Sequence, residues 1–270
     1  MIQRRLQGAT VPALGLGTWE LRGDACTRAV DRALGLGYRH IDTAQGYANE
    51  AEVGAGMRRS GVPREEIFLT TKVRPRHFRR DDLLRSSEES LAALGVDDVD
   101  LLLLHWPNPE VPLEETLRAL HEARERGLAR HVGVSNFPPS LLLRSLAAGP
   151  TLTDQVEVHP FLAQEKLLAL AEAHDLLITA YAPIARGRVQ GDPTLTAIGE
   201  RHGKGPAQVA LRWLLQQPRV VAIPKAASPA HQAANLDVFD FELDDDEMRR
   251  ISGLARGERL VDDPAMDWED

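Results

Sequence analysis

The chain has 270 residues, of which 43% are hydrophobic and 27% charged, a composition typical of a folded globular protein and not of a disordered, collagen-like or coiled-coil chain. Its formal net charge of −8 disfavours a general nucleic-acid binder, because such proteins neutralise phosphates with an excess of basic residues. No apolar run approaches the ~20 residues needed to span a membrane. The opening MIQRRLQGATVP has no apolar secretory segment, so we expect one soluble, cytoplasmic domain over residues 1–270.

Short apolar runs alternate with helical segments along the whole chain. Near-continuous apolar runs are typical of strands that are buried on both faces of a parallel sheet. The predicted strands are 14–19, 40–44, 68–73, 101–106, 131–137, 155–160, 178–183 and 220–225. Eight strands alternating with eight helices predict an α/β fold, the (β/α)8 TIM barrel.

Further signals complete this predicted architecture. Gly37, Gly95 and Gly127 stand where three of the helices should end. Gln7-Gly8 predicts the turn of an N-terminal hairpin that closes the floor of the barrel. Residues 242–255 predict an additional C-terminal helix, whose acidic start (residues 244–247) we expect to be solvated, followed by an irregular tail. The one cysteine, Cys26, allows no internal disulfide and is expected to be a small buried residue.

A doubly wound parallel sheet is the structural alternative. That fold normally carries a glycine-rich phosphate loop after its first strand. Here the corresponding segment is GLGTWE, with Glu20 in the place of the third glycine, so the fingerprint is incomplete.

Polar and aromatic side chains gather at the predicted carboxyl ends of the strands, where barrels of this kind place their active sites. Asp42, Lys72 and His105 end three consecutive strands and should face one mouth. Each alone has an ordinary structural explanation, such as a cap, a solvated strand end or a buried histidine, but together they indicate a site. The full set is Thr18, Trp19, Asp42, Tyr47, Lys72, His105, Trp106, Ser135, Asn136, Gln155, Tyr181 and Lys225, which includes two of only four lysines.

These residues resemble the aldo-keto reductases over nearly the whole chain, from GLGTW at residue 15 to VFDF at residues 238–241. The segment YRHIDTAQGYANEAEVG is similar to the signature of that family, and LTTKV, LLLLHWP, GVSNF, Gln155 and IPK follow in the family's order. The short chain and its ending RLVDDPAMDWED are most similar to the bacterial 2,5-diketo-D-gluconate and methylglyoxal reductases. The resemblance also implies a monomer.

The resemblance implies NAD(P)H-dependent reduction of aldehydes and ketones to alcohols. A nicotinamide supplies hydride in such reactions, so the protein must supply a proton. A tyrosine has an ordinary pKa of about 10, and a neighbouring ammonium favours its ionised form. We therefore expect Tyr47 to be the general acid, Lys72 to lower the pKa of Tyr47, Asp42 to pair with Lys72, and His105 to orient the carbonyl. Trp19, Tyr47, His105 and Trp106 are the expected substrate-binding residues.

The cofactor site also follows from the resemblance. It would comprise Thr18, Trp19, Asp42, Ser135, Asn136, Gln155, Tyr181, Ile184, Ala185, Gly187, Ile223, Pro224, Lys225, Ala226, His231 and Asn235. Family members that prefer NADPH usually have a serine after the lysine and an arginine at the position that His231 occupies. Because histidine lacks the permanent, bidentate charge of arginine, we expect NADPH to bind through Lys225 and NADH to be accepted as well.

Substrate choice and competing functions are less constrained. Short loops imply an open, shallow mouth for small polar carbonyls, and Arg22, Arg74 and Arg76 could attract an acidic substrate.

One alternative function is a cofactor-binding regulatory barrel without significant turnover. A metal-dependent hydrolase would need a histidine pair with ligand spacing; His121-Glu122 lacks its second histidine, so we expect no metal.

Overall fold

The computed structural model describes residues 2–263 and 266–268, so residues 1, 264–265 and 269–270 of the predicted domain lie outside the described residues. An N-terminal hairpin comes first, formed by antiparallel β1 (Gln3–Leu6) and β2 (Ala9–Pro12). Its turn residues, Gln7 and Gly8, have φ of 47° and 78°, the positive values that a tight two-residue turn needs. The predicted hairpin and its turn are therefore confirmed.

Eight parallel strands follow, each hydrogen-bonded to the next in chain order. They are β3 (Leu16–Gly17), β4 (His40–Asp42), β5 (Phe68–Val73), β6 (Val99–Leu104), β7 (Ala129–Ser135), β8 (Thr153–Glu157), β9 (Leu177–Tyr181) and β10 (Val220–Ala222). Parallel bridges from Leu14 to Ala222 and from Gly17 to Lys225 join the last strand to the first. The predicted (β/α)8 barrel is confirmed. The hairpin residues Leu6, Ala9 and Val11 cluster with Phe68, Leu101, Leu103, Leu152, Leu177 and Val221, which fill the amino-terminal end of the barrel.

The sequence placed several strand ends too far along the chain. Residues 105–106, 136–137, 158–160, 182–183 and 223–225 were predicted as strand but form loops at the mouth. Asn136 and Ala182 have φ of 63° and 47°, a left-handed conformation that cannot continue a strand. His105 and Asn136 are therefore carried by loops, whereas Asp42 and Lys72 lie on strands.

The barrel is surrounded by helices. Those of the described residues are α1 (Gly23–Gly35), α2 (Glu50–Ser60), α3 (Arg80–Leu94), α4 (Leu113–Glu125), α5 (Pro139–Ala148), α6 (Glu165–Ala173), α7 (Pro193–His202), α8 (Pro206–Gln216), α9 (Pro229–Leu236) and α10 (Asp245–Ser252). The prediction of one helix per crossover was wrong between β9 and β10, where α7 and α8 both occur. Gly203 ends α7 with φ of 67°, and Pro206 starts α8, so the chain breaks into two helices.

The additional C-terminal helix α10 is present, and Asp244 caps it by accepting a hydrogen bond from the Glu247 amide at 2.8 Å. The expectation that its whole acidic start is solvated was wrong for Glu247, which is 1% exposed. Its carboxylate lies 3.1 Å from Arg201 and 3.0 Å from His202 on α7, and these contacts explain why a carboxylate is buried there.

Two smaller findings concern single features of the described chain. Cys26 is fully buried, as expected, and burial raises the pKa of its thiol to about 12. None of the helices within residues 2–263 and 266–268 is both long and apolar enough to cross a bilayer.

Candidate active site

A fully buried lysine lies at the centre of the barrel mouth. Lys72, on β5, donates hydrogen bonds from Nζ to Asp42 Oδ1 at 2.5 Å, to the Thr43 carbonyl at 2.8 Å and to Tyr47 Oη at 3.2 Å. Asp42 is the last residue of the neighbouring strand β4, and Tyr47 follows in a short 3-10 helix. The structure thus brings together three residues that the sequence places up to thirty positions apart.

Burial and charge act in opposite directions on this group. Burial alone would lower the pKa of Lys72, but Asp42 and Tyr47 raise it above its ordinary value, so the ammonium stays charged. Burial raises the pKa of Tyr47 and outweighs the lowering effect of Lys72. The expected influence of Lys72 is present, but the expectation of a lowered net pKa was wrong, because desolvation of the phenol is larger. Tyr47 therefore holds its proton at neutral pH.

His105 follows β6 directly and completes the group. Its ring meets the Tyr47 ring edge to face, with centroids 5.6 Å apart. Burial, Lys72 and Arg74 together lower the pKa of His105 to about 3, so the imidazole is neutral and can donate or accept a hydrogen bond. Gly46 makes room for the ring, since a Cβ there would lie 3.0 Å from His105 Cε1. Sequence reasoning did not single out Gly46.

Asn49 ties the loops around Tyr47 together, and sequence reasoning missed it. It is fully buried, donates from Nδ2 to the Thr18 and Leu21 carbonyls at 2.9 and 3.0 Å, and accepts from Thr43 Oγ1 at 2.7 Å. Thr18 in turn donates to the Asp42 carbonyl at 2.9 Å. The polar pair Asn49-Glu50, which follows Tyr47 closely in the sequence, was the signal that could have indicated this role of Asn49.

Three residues of the expected cofactor site, Ser135, Asn136 and Gln155, lie close to Asp42. Gln155 donates from Nε2 to Asp42 Oδ2 at 2.7 Å, and Ser135 donates to the Gln155 carbonyl at 2.7 Å. Asn136 donates to the His105 carbonyl at 3.0 Å and accepts from Tyr181 Oη at 2.7 Å. One connected network of hydrogen bonds therefore joins these predicted residues to the buried ion pair.

The loop after β9 reaches across the mouth. Ala185, Arg186 and Gly187 have φ of 48°, 50° and 90°, a left-handed run, and Ile184 precedes it. The Arg186 guanidinium lies 5.0 Å from the centroid of the Trp19 ring, whose side chain is 42% exposed. This cation–π contact connects the loops that follow β9 and β3. Arg186 was not among the predicted site residues.

The segment after β10 has mixed exposure. Ile223, Pro224 and Ala226 are buried, whereas Lys225 and His231 are exposed. Gly17 approaches this segment closely, since a Cβ there would lie 2.7 Å from the Ile223 carbonyl oxygen. Asn235, another residue of the expected cofactor site, is 6% exposed, so little of it is open to a ligand.

The C-terminal tail forms one wall of the mouth. Trp106 meets Trp268 edge to face at 6.0 Å, and the Arg259 guanidinium lies 3.8 Å from the Trp268 ring centroid. Glu157, at the end of β8, anchors the tail by accepting from the Leu260 amide at 2.8 Å. The expectation of an open mouth was wrong on this side, because Trp268 packs against Trp106 there. Trp268, a tryptophan in an otherwise acidic tail, was the sequence signal that could have indicated this wall.

The three arginines considered for an acidic substrate already have protein partners. Arg22 donates to the Tyr47 carbonyl at 2.7 Å, and Arg74 donates to the Gln45 carbonyl at 2.6 Å. Arg74 and Arg76 line a polar cavity of about 200 Å³ together with Gln45, Glu50, His77, Ser86, Glu89 and Ser90. Arg22 is therefore the one of the three that contacts Tyr47 itself, whereas Arg74 contacts Gln45 of the same 3-10 helix.

Comparison with known proteins shows that the chain is an NAD(P)H-dependent oxidoreductase and identifies its family. The sequence model of the Aldo/keto reductase family matches residues 13–256. The chain belongs to this family, whose members reduce carbonyl compounds. Across the described residues, no three His, Cys, Asp or Glu side chains are arranged to hold a metal ion.

Relatives and solved structures resemble the chain over almost its full length. It is 42% identical over 261 residues to an aldo-keto reductase of Mycolicibacterium smegmatis, covering 95% of this chain and 94% of the relative. It is 41% identical over 256 residues to methylglyoxal reductase DkgB of Escherichia coli O157:H7, covering 93% and 96%. A solved structure of a candidate 2,5-diketo-D-gluconic acid reductase B is 44% identical with a TM-score of 0.97, covering 100% of this chain and 98% of the other.

Proposed function

We propose that the protein reduces small polar aldehydes and ketones to alcohols with NADPH, and that Tyr47 donates the proton. The observation that carries this proposal is the contact of one buried ammonium, Lys72 Nζ, with both Asp42 and Tyr47. A phenol that keeps its proton at neutral pH is ready to give it to an alkoxide as that charge develops on the substrate oxygen. Lys72 then stabilises the phenolate that remains, and Asp42 keeps the ammonium oriented.

His105 has a separate role in this proposal. Its neutral imidazole faces the edge of the Tyr47 ring and can donate a hydrogen bond to the carbonyl oxygen from a second direction. Two donors around one oxygen fix the face of the carbonyl that is presented and polarise it. Because its pKa is about 3, we do not assign a proton-transfer role to an imidazolium.

The donor set beside Asp42 fits a nicotinamide. Ser135, Asn136 and Gln155 carry the hydroxyl and amide groups that match a carboxamide, and Tyr181 provides an aromatic ring for stacking. When bound, the reduced nicotinamide supplies the hydride. Lys225 would meet the adenosine phosphate, while Ala226 and His231 leave room for NADH to be accepted. Asn235 and the loop from Ile184 to Gly187 would complete the site.

Small polar carbonyls are the substrates proposed for this mouth. Trp19 and Trp106 are the proposed substrate-binding residues, and Trp268 narrows the space beside Trp106. Methylglyoxal and 2,5-diketogluconate, the compounds named for similar proteins, are small and polar enough for such a site. Arg22, which is exposed beside the Tyr47 segment, is the group that could favour an acidic member of this class.

We also propose that the chain works as a single-domain monomer in the cytoplasm. A continuous barrel core and the buried, unpaired thiol of Cys26 support this proposal.

The proposed function is tested by steady-state kinetics with methylglyoxal and 2,5-diketogluconate, each with NADPH and with NADH. We expect carbonyl-dependent oxidation of both cofactors. Binding of NADPH without turnover of any carbonyl in a broad panel would instead favour a cofactor-sensing regulatory protein. Turnover with NADH alone would contradict the assignment of Lys225 to the adenosine phosphate.

A further inference from the structure

An arginine on α1 lies beside the loop that carries Lys225. Arg32, in the last turn of α1, donates from Nη1 to the Ala227 carbonyl at 3.3 Å. Ala227 is two residues after Lys225, so the guanidinium is held next to the segment assigned above to the adenosine phosphate. Helix α1 is far from this loop in the sequence, and no motif pointed to Arg32.

The positive charges of Arg32 and Lys225 are not compensated. Across residues 2–263 and 266–268, neither side chain lies within 4.0 Å of a carboxylate oxygen. The nearby acidic residues of α1 have other partners, since Asp24 lies 3.8 Å from Arg28 and Asp31 lies 2.8 Å from Arg59. The guanidinium is thus free to attract an anion.

The loop between Lys225 and α9 is held firmly against α1. Gln232, fully buried, donates from Nε2 to the Ala226 carbonyl at 3.1 Å and to the Ala29 carbonyl at 2.9 Å. Ser228 accepts from the His231 amide at 3.2 Å and caps α9. These bonds hold the loop that carries Lys225 against the helix that carries Arg32 whether or not an anion is present, so little backbone ordering is needed on binding.

The chemistry of a guanidinium suits a phosphate monoester. Its bond to Ala227 uses one of five N–H donors, and the others can make charge-assisted, bidentate bonds to phosphate oxygens. A histidine lacks both the permanent charge and the two parallel N–H donors of a guanidinium. His231 therefore cannot bind a phosphate equally well. The two cofactors proposed for this site differ in one such group, the 2′-phosphate on the adenosine ribose.

We propose that Arg32 is a specificity-determining residue that binds the 2′-phosphate of the cofactor together with Lys225. The proposal rests on the proposed function, because it requires that the site binds an adenine dinucleotide. Arg32 thereby supplies, from a different helix, the guanidinium that His231 does not provide. It acts on cofactor choice and not on the chemical step.

The test measures dissociation constants of NADPH and NADH for wild type, Arg32→Gln and Arg32→Lys by isothermal titration calorimetry. The matched control is Arg28→Gln, one turn earlier on the same helix, whose charge pairs with Asp24. We expect Arg32→Gln to weaken NADPH binding about tenfold and NADH binding less than about twofold, a loss in the range of one charged hydrogen bond. Arg32→Lys should lose less than Arg32→Gln, and the control should change neither constant.

Several results would overturn the role of Arg32 and leave the proposed function intact. They are unchanged NADPH binding in Arg32→Gln, an equal loss for both cofactors, or an equal loss in the control. If Arg32→Gln does not fold, Arg32→Lys takes its place, and the expected result is then a loss of affinity for NADPH that exceeds the loss for NADH. Wild type that binds neither dinucleotide would overturn the proposed function and, with it, the role of Arg32.

Discussion

Replacing Lys72 by methionine should destabilise the fold and abolish catalysis by two separable effects. The substitution keeps an unbranched side chain that is one atom shorter and removes the three hydrogen bonds to Asp42, the Thr43 carbonyl and Tyr47. Asp42, 1% exposed, would keep the Gln155 amide as a partner and lose its counter-ion. Removing one partner of a buried ion pair costs about 3–5 kcal/mol. We expect that decrease in the free energy of unfolding, measured by urea denaturation.

The double variant Lys72→Met/Asp42→Asn separates stability from chemistry. Removing both charges eliminates the unpaired buried carboxylate, so at least half of the lost stability should return. The kcat/KM for carbonyl reduction should stay about 10²–10⁴-fold below wild type, because no ammonium remains beside Tyr47. A single variant as stable as wild type, or a double variant that recovers turnover, would refute this account of the ion pair.

Three further predictions follow from the same geometry. With the pKa of His105 lowered from 6.5 to about 3, the unfolded chain binds more protons than the folded one between these values, so the unfolding free energy should fall as pH drops from 6.5 towards 3. Replacing His105 with asparagine should make that slope shallower; an unchanged slope would contradict the shift. In Gly46→Ala, the Cβ would lie 3.0 Å from His105, so kcat/KM should fall about tenfold, with the NADPH dissociation constant unchanged. In Trp268→Ala, loss of the wall beside Trp106 should raise KM for methylglyoxal several-fold, with kcat nearly constant; an unchanged KM would place Trp268 outside the substrate site.

Some of the fold could be predicted because it depends on local pattern. The boundaries of β5 were predicted correctly, since its sequence FLTTKV combines apolar and β-branched residues and is followed by Arg74-Pro75. The ends of β7 and β9 were not, because Asn136 and Ala182 adopt positive φ in response to loop contacts that no local pattern shows. The burial of Glu247 likewise depends on a helix far away in the sequence.

The same distinction applies to the site. The convergence of Asp42, Lys72 and His105 could be predicted from topology, because the carboxyl ends of parallel strands meet at one mouth. The bond from Gln155 to Asp42 could not, because it joins strands that are not neighbours in the barrel. Nor could the sequence show that burial outweighs Lys72 in setting the pKa of Tyr47, because the extent of burial depends on the complete fold.

The central claim is that Tyr47 donates the proton in a carbonyl reduction. Its most direct test is a single turnover, in which NADPH-loaded wild type and Tyr47→Phe are mixed with methylglyoxal and nicotinamide absorbance is followed. We predict a rapid decay in wild type and a rate lower by about 10²–10⁴-fold in the variant, with its NADPH dissociation constant unchanged. A variant that consumes NADPH as fast as wild type, or a wild type that shows no decay, would contradict the claim.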